Sequence, residues 1–222
     1  MASTRLSPVE KIGYGLGDFG SNVVFQTILI LLPSFYTDVF GLAPAAMATM
    51  FLAVRLLDTV TDPIMGVIAD NTNTRWGKFR PYLLWFSIPF AVVFVLTYWT
   101  PDLAGNAKLL YAYGTYTVLM LLYTVVNIPY CALGGVITSD SQERVSANSY
   151  RFFLATSAGV LITFFGPTLI SYFGNGDDKV GYPWAMAAFS ILAVLAFFGC
   201  FALTKERVVE AQPAKGAFWS DV

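Results

Sequence analysis

Histidine is absent from the 222 residues, which removes Ser-His-Asp and Cys-His nucleophile activation and any histidine proton relay. Cysteine is nearly so: Cys131 and Cys200 lie in different apolar blocks, too few and too far apart for a disulfide framework or a four-ligand zinc site. Both are expected to be inert buried thiols. Charge is scarce at 12% of residues, about half of what soluble domains carry. With a net charge of -1 and no basic run, nucleic acid is not an expected partner. Apolar residues are what is plentiful. They make up 56% of the chain and come in blocks near or above the roughly 20 residues that cross a hydrocarbon core. A soluble helical bundle would leave such runs exposed. The first block follows a polar start over 1–11 and outruns the apolar core of a secretory signal, about 7–15 residues. It is therefore expected to be a retained span.

The blocks predict an all-α membrane protein with six spans at about 12–38, 43–70, 80–100, 107–136, 147–174 and 182–204. Breaker-rich or polar loops separate them over 38–44, 71–80, 101–106 and 175–179. Arg5, Lys11, Arg75, Lys78, Arg80, Arg144, Lys205, Arg207 and Lys215 fall on one side, with Arg151 just inside it; only Lys108 and Lys179 fall on the other. The excess of positive charge marks the cytoplasmic side, so both termini are expected there. The polar stretch 205–222 reads as the start of a cytoplasmic central loop, with the chain stopping early.

A charge at mid-bilayer costs about 2.5–3.5 kcal/mol even on lenient scales, which makes such residues functional candidates. Asp18 lies in the first span and Arg55, Asp58 and Asp62 in the second. Asp58 and Asp62 are one helical turn apart, about 6 Å along the axis, on one face. Two carboxylates so close in a low dielectric cannot both stay bare: one takes up a proton, or a cation sits between them. Oxygen donors of this kind suit a hard cation such as Na⁺. The alternative is that Arg55, one turn earlier, neutralises an aspartate and the charges only lock helices together. Asp18 has an expected partner in Arg55 or in a residue of a missing half.

Gly15-Leu16-Gly17-Asp18-Phe19-Gly20 fits G-x-G-x-x-G, but no strand precedes it, so the dinucleotide reading lacks its context. Close helix packing is the expected role of these glycines. The G-x-G-D within it resembles a motif of intramembrane aspartyl proteases, a rival reading from another class. That family typically places Tyr before its second aspartate and a Pro-Ala-Leu motif later. Here Leu57 precedes Asp58 and Pro-Ala-Leu is absent.

A longer resemblance runs from Asp58 through Asp62-Pro63-Ile64-Met65-Gly66 into Arg75-Trp76-Gly77-Lys78-Phe79-Arg80-Pro81. It resembles the glycoside-pentoside-hexuronide cation symporters, the melibiose permease family within the major facilitator superfamily. Tyr14-Gly15-Leu16-Gly17-Asp18, Asn127-Ile128-Pro129-Tyr130 and Tyr150-Arg151-Phe152-Phe153 look like the same family's signatures in helices 1, 4 and 5. The match covers nearly the whole chain and implies the N-terminal six-helix half of a secondary active sugar transporter. Such a protein symports glycosides, pentosides or hexuronides with Na⁺ or H⁺ by alternating access. It would be no enzyme and need no cofactor, and it would sit in the cell inner membrane with lipid and a C-terminal six-helix half around it. The fallback is a six-helix fragment that does not transport and whose charges are structural.

By the same resemblance Asp58 and Asp62 match the aspartates that hold the coupling cation, assisted by Thr124. Asn22, Tyr123, Asn127, Cys131 and Arg151 match substrate-contacting positions, with Asp18 grouped beside them and Arg55 in the charge network. Asn22 and Asn127 stand where melibiose permease has aspartates, and Cys131 replaces a tryptophan that stacks on the sugar. Asn still donates and accepts hydrogen bonds to hydroxyls, but the galactoside preference does not carry over. Gly66, Asp70, Arg75, Gly77, Lys78 and Arg80 resemble the superfamily's loop between helices 2 and 3, which serves conformational change and positive-inside anchoring. Trp76, Trp85, Trp99, Tyr182 and Trp184 are expected at the water interface.

Overall fold

A computed structural model describes residues 5–208. No strand forms among them; the chain runs as helices joined by short turns. Helix α1 (Pro8–Ile30) starts at a capping box, Ser7 accepting from the Glu10 N–H and Glu10 reaching back to Ser7, with Pro8 at the first position, where it costs no hydrogen bond. At Leu31 the chain turns by 46° into α2 (Leu32–Ser34) and a π-helical turn over Phe35–Val39. Pro33 lacks the N–H that would have continued the ladder, which gives the bend its cause.

Helix α3 (Pro44–Asn71) is followed by the loop 72–79, then by α4 (Arg80–Trp85) and α5 (Ser87–Thr97). The third expected span is thus broken at Phe86. Helices α6 (Gly105–Val136), α7 (Ser141–Gly174) and α8 (Asp178–Leu203) complete the bundle. The last two begin before the apolar runs they carry, because Asp140 caps the N–H groups of Gln142 and Glu143, and Asp177 that of Lys179.

Among the described residues α6, α7 and α8 are long and apolar enough to cross a membrane, and the bent first segment makes a fourth. The second and third expected spans fall short of that measure. Helix α3 carries Arg55, Asp58, Asp62 and Asp70, and α4 and α5 are individually too short.

Helix α1 is the central rod, packed along α7 and α8 and touching α6, while α3 packs mainly along α6. Its glycines allow this, as expected. A β-carbon at Gly17 would overlap the Tyr130 ring, at Gly13 the Leu203 side chain, and at Gly15 Leu154 and the backbone of Tyr150. The core is aromatic at the end away from the termini, where Phe35 meets Tyr98 at 5.1 Å and Tyr182 at 5.0 Å between ring centroids. Tyr182 is therefore buried and does not mark the water interface, whereas Trp85, Trp99 and Trp184 are exposed.

The opposite end is stitched by charge. Lys11 pairs with Glu143 at 2.8 Å and donates to Ser146 at 2.9 Å, and Arg207 pairs with Glu10. The Glu206 carboxylate accepts from the N–H groups of Lys78, Phe79 and Arg80 at 2.8, 2.9 and 3.0 Å. Sequence reading had treated 205–208 only as the start of a polar loop. Here it is a strap, with the Arg207 and Val208 N–H groups on the Val136 carbonyl at 2.8 and 2.9 Å.

Candidate functional site

Two polar clusters interrupt the apolar bundle, and α6 contributes to both. On the α3 side, Asp58 is buried and Asp62, one turn further, accepts from the Thr124 hydroxyl of α6 at 2.9 Å. Tyr116, two turns before Thr124 on α6, packs on Phe51 of α3 with ring centroids 5.1 Å apart and helps hold the helices in this register. Arg55 reaches Asp58 only at 3.8 Å and its side chain is 58% exposed. A loose pair of that kind does not seal the carboxylates. The Arg55 side chain instead borders a cavity of about 110 Å³ shared with Phe25, Phe51, Tyr116 and Met120.

Two buried oxygens in this cluster, Asp58 Oδ1 and Thr61 Oγ1, have no hydrogen-bond partner. Orphaned buried oxygens are rare in folded proteins and call for a reason. Both lie on α3 within about one turn of Asp62. Thr61 was missed in the sequence, where a threonine between two aspartates reads as an ordinary helix residue; the residue is half-buried, and its shielded, unpartnered hydroxyl is what singles it out. Among the described residues no group of three or more Asp, Glu, Cys or His side chains that could hold a metal ion gathers.

In the second cluster Asp18 of α1 pairs with Arg151 of α7, Nε to Oδ2 at 2.8 Å. Within this chain the partner of Asp18 is therefore Arg151 and not Arg55. Asn22 donates to the Asp18 carboxylate at 3.2 Å and to its carbonyl at 3.0 Å. The Arg151 guanidinium lies 5.6 Å over the ring of Tyr130, and Tyr130 in turn donates to the Tyr14 carbonyl at 2.9 Å while stacking on the Tyr14 ring. Tyr130 is a further member of this cluster that sequence reading quoted in a motif but gave no role. Tyr123 stacks on Phe25 at 5.6 Å, Asn127 is half-buried, and Cys131 is exposed, not buried as expected. Cys200 is buried as expected, and both thiols are free.

Asp18 therefore faces a guanidinium and not a second carboxylate, which removes the dyad an aspartyl protease requires. Of the expected residues, Asp62 meets Thr124, and Asp18 meets Asn22 and Arg151. Tyr123 and Thr124 are consecutive, so a rotation of α6 moves both clusters at once.

The loop residues divide by role. Gly77 has φ +111 and its missing side chain leaves room for the Glu206 carboxylate. Arg80 donates to the Trp76 carbonyl at 3.3 Å and to that of Phe201, and Arg75 lies 4.3 Å over the Trp76 ring. Asp70 is exposed and Gly66 has open space around it.

Comparison with known proteins bears on this arrangement. The chain is 48% identical over its whole length to the "Inner membrane symporter YicJ" of Escherichia coli strain K12, covering 48% of that protein. It is 50% identical over 211 residues to the "Putative glycoside/cation symporter YagG" of the same organism, covering 46% of it. To the "Isoprimeverose transporter" of Lactiplantibacillus pentosus it is 41% identical over 208 residues, covering 43%. The chain thus spans about half the length of the curated relatives it matches. A model of one transporter family, described as MFS/sugar transport protein, matches residues 13–221. Nearly the whole chain falls within that match, and the protein belongs to the MFS/sugar transport protein family.

Proposed function

We propose that this chain forms one wall of a secondary active sugar symporter of the inner membrane, with both termini cytoplasmic and a second set of helices supplying the facing wall. Asp58, Asp62 and Thr124, with Thr61, hold the coupling ion, Na⁺ or H⁺. Asn22, Tyr123, Asn127, Cys131 and Arg151 meet a glycoside, pentoside or hexuronide, with Asp18 fixing Arg151. The observation that carries the reading is the pair of orphaned oxygens beside Asp62 on α3, one turn of helix from a loosely held Arg55.

Charge balance supports it. Away from the span ends the clusters hold three carboxylates, Asp18, Asp58 and Asp62, against two guanidinium groups, Arg55 and Arg151. The deficit is one positive charge, which one monovalent cation or one proton supplies. Filling it relieves the repulsion between Asp58 and Asp62 and steadies α6 through Thr124, next to Tyr123 on the sugar side. The coupling is reciprocal, so sugar raises ion affinity by the same factor. Rocking of the two walls about this site then exposes it to each side in turn.

The test is uptake of labelled glycosides by membrane vesicles carrying the chain in its full-length context, with and without an imposed Na⁺ or proton gradient. Gradient-driven accumulation is expected, and loss of it in Asp58→Cys and Asp62→Cys. Uptake unchanged in both variants overturns the ion site; no uptake of any sugar by the parent overturns transport.

A further inference from the structure

Most basic side chains at the strap end of the bundle are spoken for. Lys11 has Glu143, Arg207 has Glu10, Arg80 has the carbonyls of Trp76 and Phe201, and Arg144 donates to the Thr138 carbonyl. Arg75 and Lys78, in the loop between α3 and α4, have no ion pair among the described residues, and neither does Lys205. The Glu206 carboxylate, which meets this loop, accepts from the backbone N–H groups of Lys78, Phe79 and Arg80.

Arg75 has an aromatic neighbour, its guanidinium carbon lying over the Trp76 ring at 4.3 Å from the centroid, and Lys78 stands two residues beyond Trp76 in the same loop. Trp76 meets Trp85 edge-on at 6.2 Å, and Trp85 is 47% exposed. Tyr82, its hydroxyl 2.6 Å from that of Thr72, closes the group. Tryptophan at the end of a span favours the level of lipid headgroups, and an Arg fork is suited to two oxygens of a phosphate.

We propose that Arg75 and Lys78, backed by the Trp76 and Trp85 rings, form a docking site for the headgroup of an anionic phospholipid. The two cations meet the phosphate and glycerol oxygens, and the exposed Trp85 lies against the upper part of the acyl chains. The site ties the α3–α4 loop to the bilayer, while the Glu206 contact ties the same loop to the strap.

The test is native mass spectrometry of the purified chain in detergent, titrated with phosphatidylglycerol and, in parallel, with phosphatidylcholine. All faces are accessible in detergent, so the outcome does not depend on the proposed orientation or on transport. Phosphatidylglycerol is expected to bind more tightly than phosphatidylcholine. The preference should fall about fivefold for each charge removed and roughly 30-fold in Arg75→Gln/Lys78→Gln. Lys78→Arg, which keeps the charge and leaves the Arg75 fork in place, should retain most of it and Lys205→Gln should leave it intact, which separates a site from general attraction. A preference that survives the double Gln variant overturns the proposal, as does an equal loss in Lys205→Gln. Loss in Lys78→Arg as well, with the parent's circular dichroism, would show a structural effect of the loop and also overturn it.

Discussion

Replacing Glu206 and Gly77 singly and together should reveal that the strap and the α3–α4 loop are one unit. Glu206 takes three N–H···O bonds at 2.8–3.0 Å, each to a charged acceptor and each worth about 1.5–3 kcal/mol before water competes for the freed groups. The Phe79 side chain is buried but the loop around it is only half-buried, so water re-satisfies part of the loss, and Glu206→Ala should cost about 2–4 kcal/mol. Gly77→Ala brings two penalties. An L residue at φ +111 is strained by about 1–3 kcal/mol, and the added β-carbon takes the space of the Glu206 carboxylate, which can move away only by giving up its N–H partners. The total for Gly77→Ala is about 3–7 kcal/mol. With Glu206→Ala already present only the strain remains, so the double variant should be less unstable than the sum by about 2–4 kcal/mol. Unfolding in mixed micelles by titration with sodium dodecyl sulfate, followed by tryptophan fluorescence, reads all four free energies. Additivity within about 0.5 kcal/mol, the behaviour of independent sites, would refute the claim that the carboxylate and the glycine share one space.

Three further outcomes follow from the same structure. Glu10 is desolvated, which alone would raise its pKa, but Arg207 and the Ser7 N–H outweigh this and hold it below the ordinary 4.5; Lys11 does the same for Glu143. Both lowered values mean stability that is complete above pH 4.5 and lost as pH falls through the lower folded pKa values. Melting measured from pH 7 to pH 3 should therefore decline more steeply in the parent than in Glu10→Gln/Glu143→Gln. Asp18→Asn leaves the half-buried Arg151 without its counter-charge and should cost about 1–3 kcal/mol, less than the full penalty for a broken buried pair; Asp18→Asn/Arg151→Gln should recover part of that in the same titration. Gly181→Ala drives a methyl into the Ile170 carbonyl across the α7–α8 contact, while Gly114 has nothing near it. The first should lose about 1–3 kcal/mol and the second be neutral or gain up to about 1 kcal/mol, a contrast readable from melting of the two variants side by side.

Composition and period settled the class of this protein before any coordinates. Long apolar blocks and the absence of histidine excluded soluble and His-dependent chemistry, and four-residue spacing placed Asp58 and Asp62 on one helix face, because those properties are local to a single rod. The breaks were less legible. The bend at Leu31 follows from Pro33, yet a proline inside α6, α7 and α8 leaves each of those helices unbroken by the same rule, since neighbouring packing decides whether a missing N–H bends the chain.

Which charges meet was a matter for tertiary structure. Asp18 lies 133 positions from Arg151, Thr124 62 from Asp62, and Glu206 128 from Lys78. Such contacts depend on how deep each helix sits and how it is rotated against its neighbour, and those two quantities are fixed by where glycines let rods approach and where aromatic rings hold them apart. A sequence records the face of every helix; only packing chooses the face that stands opposite.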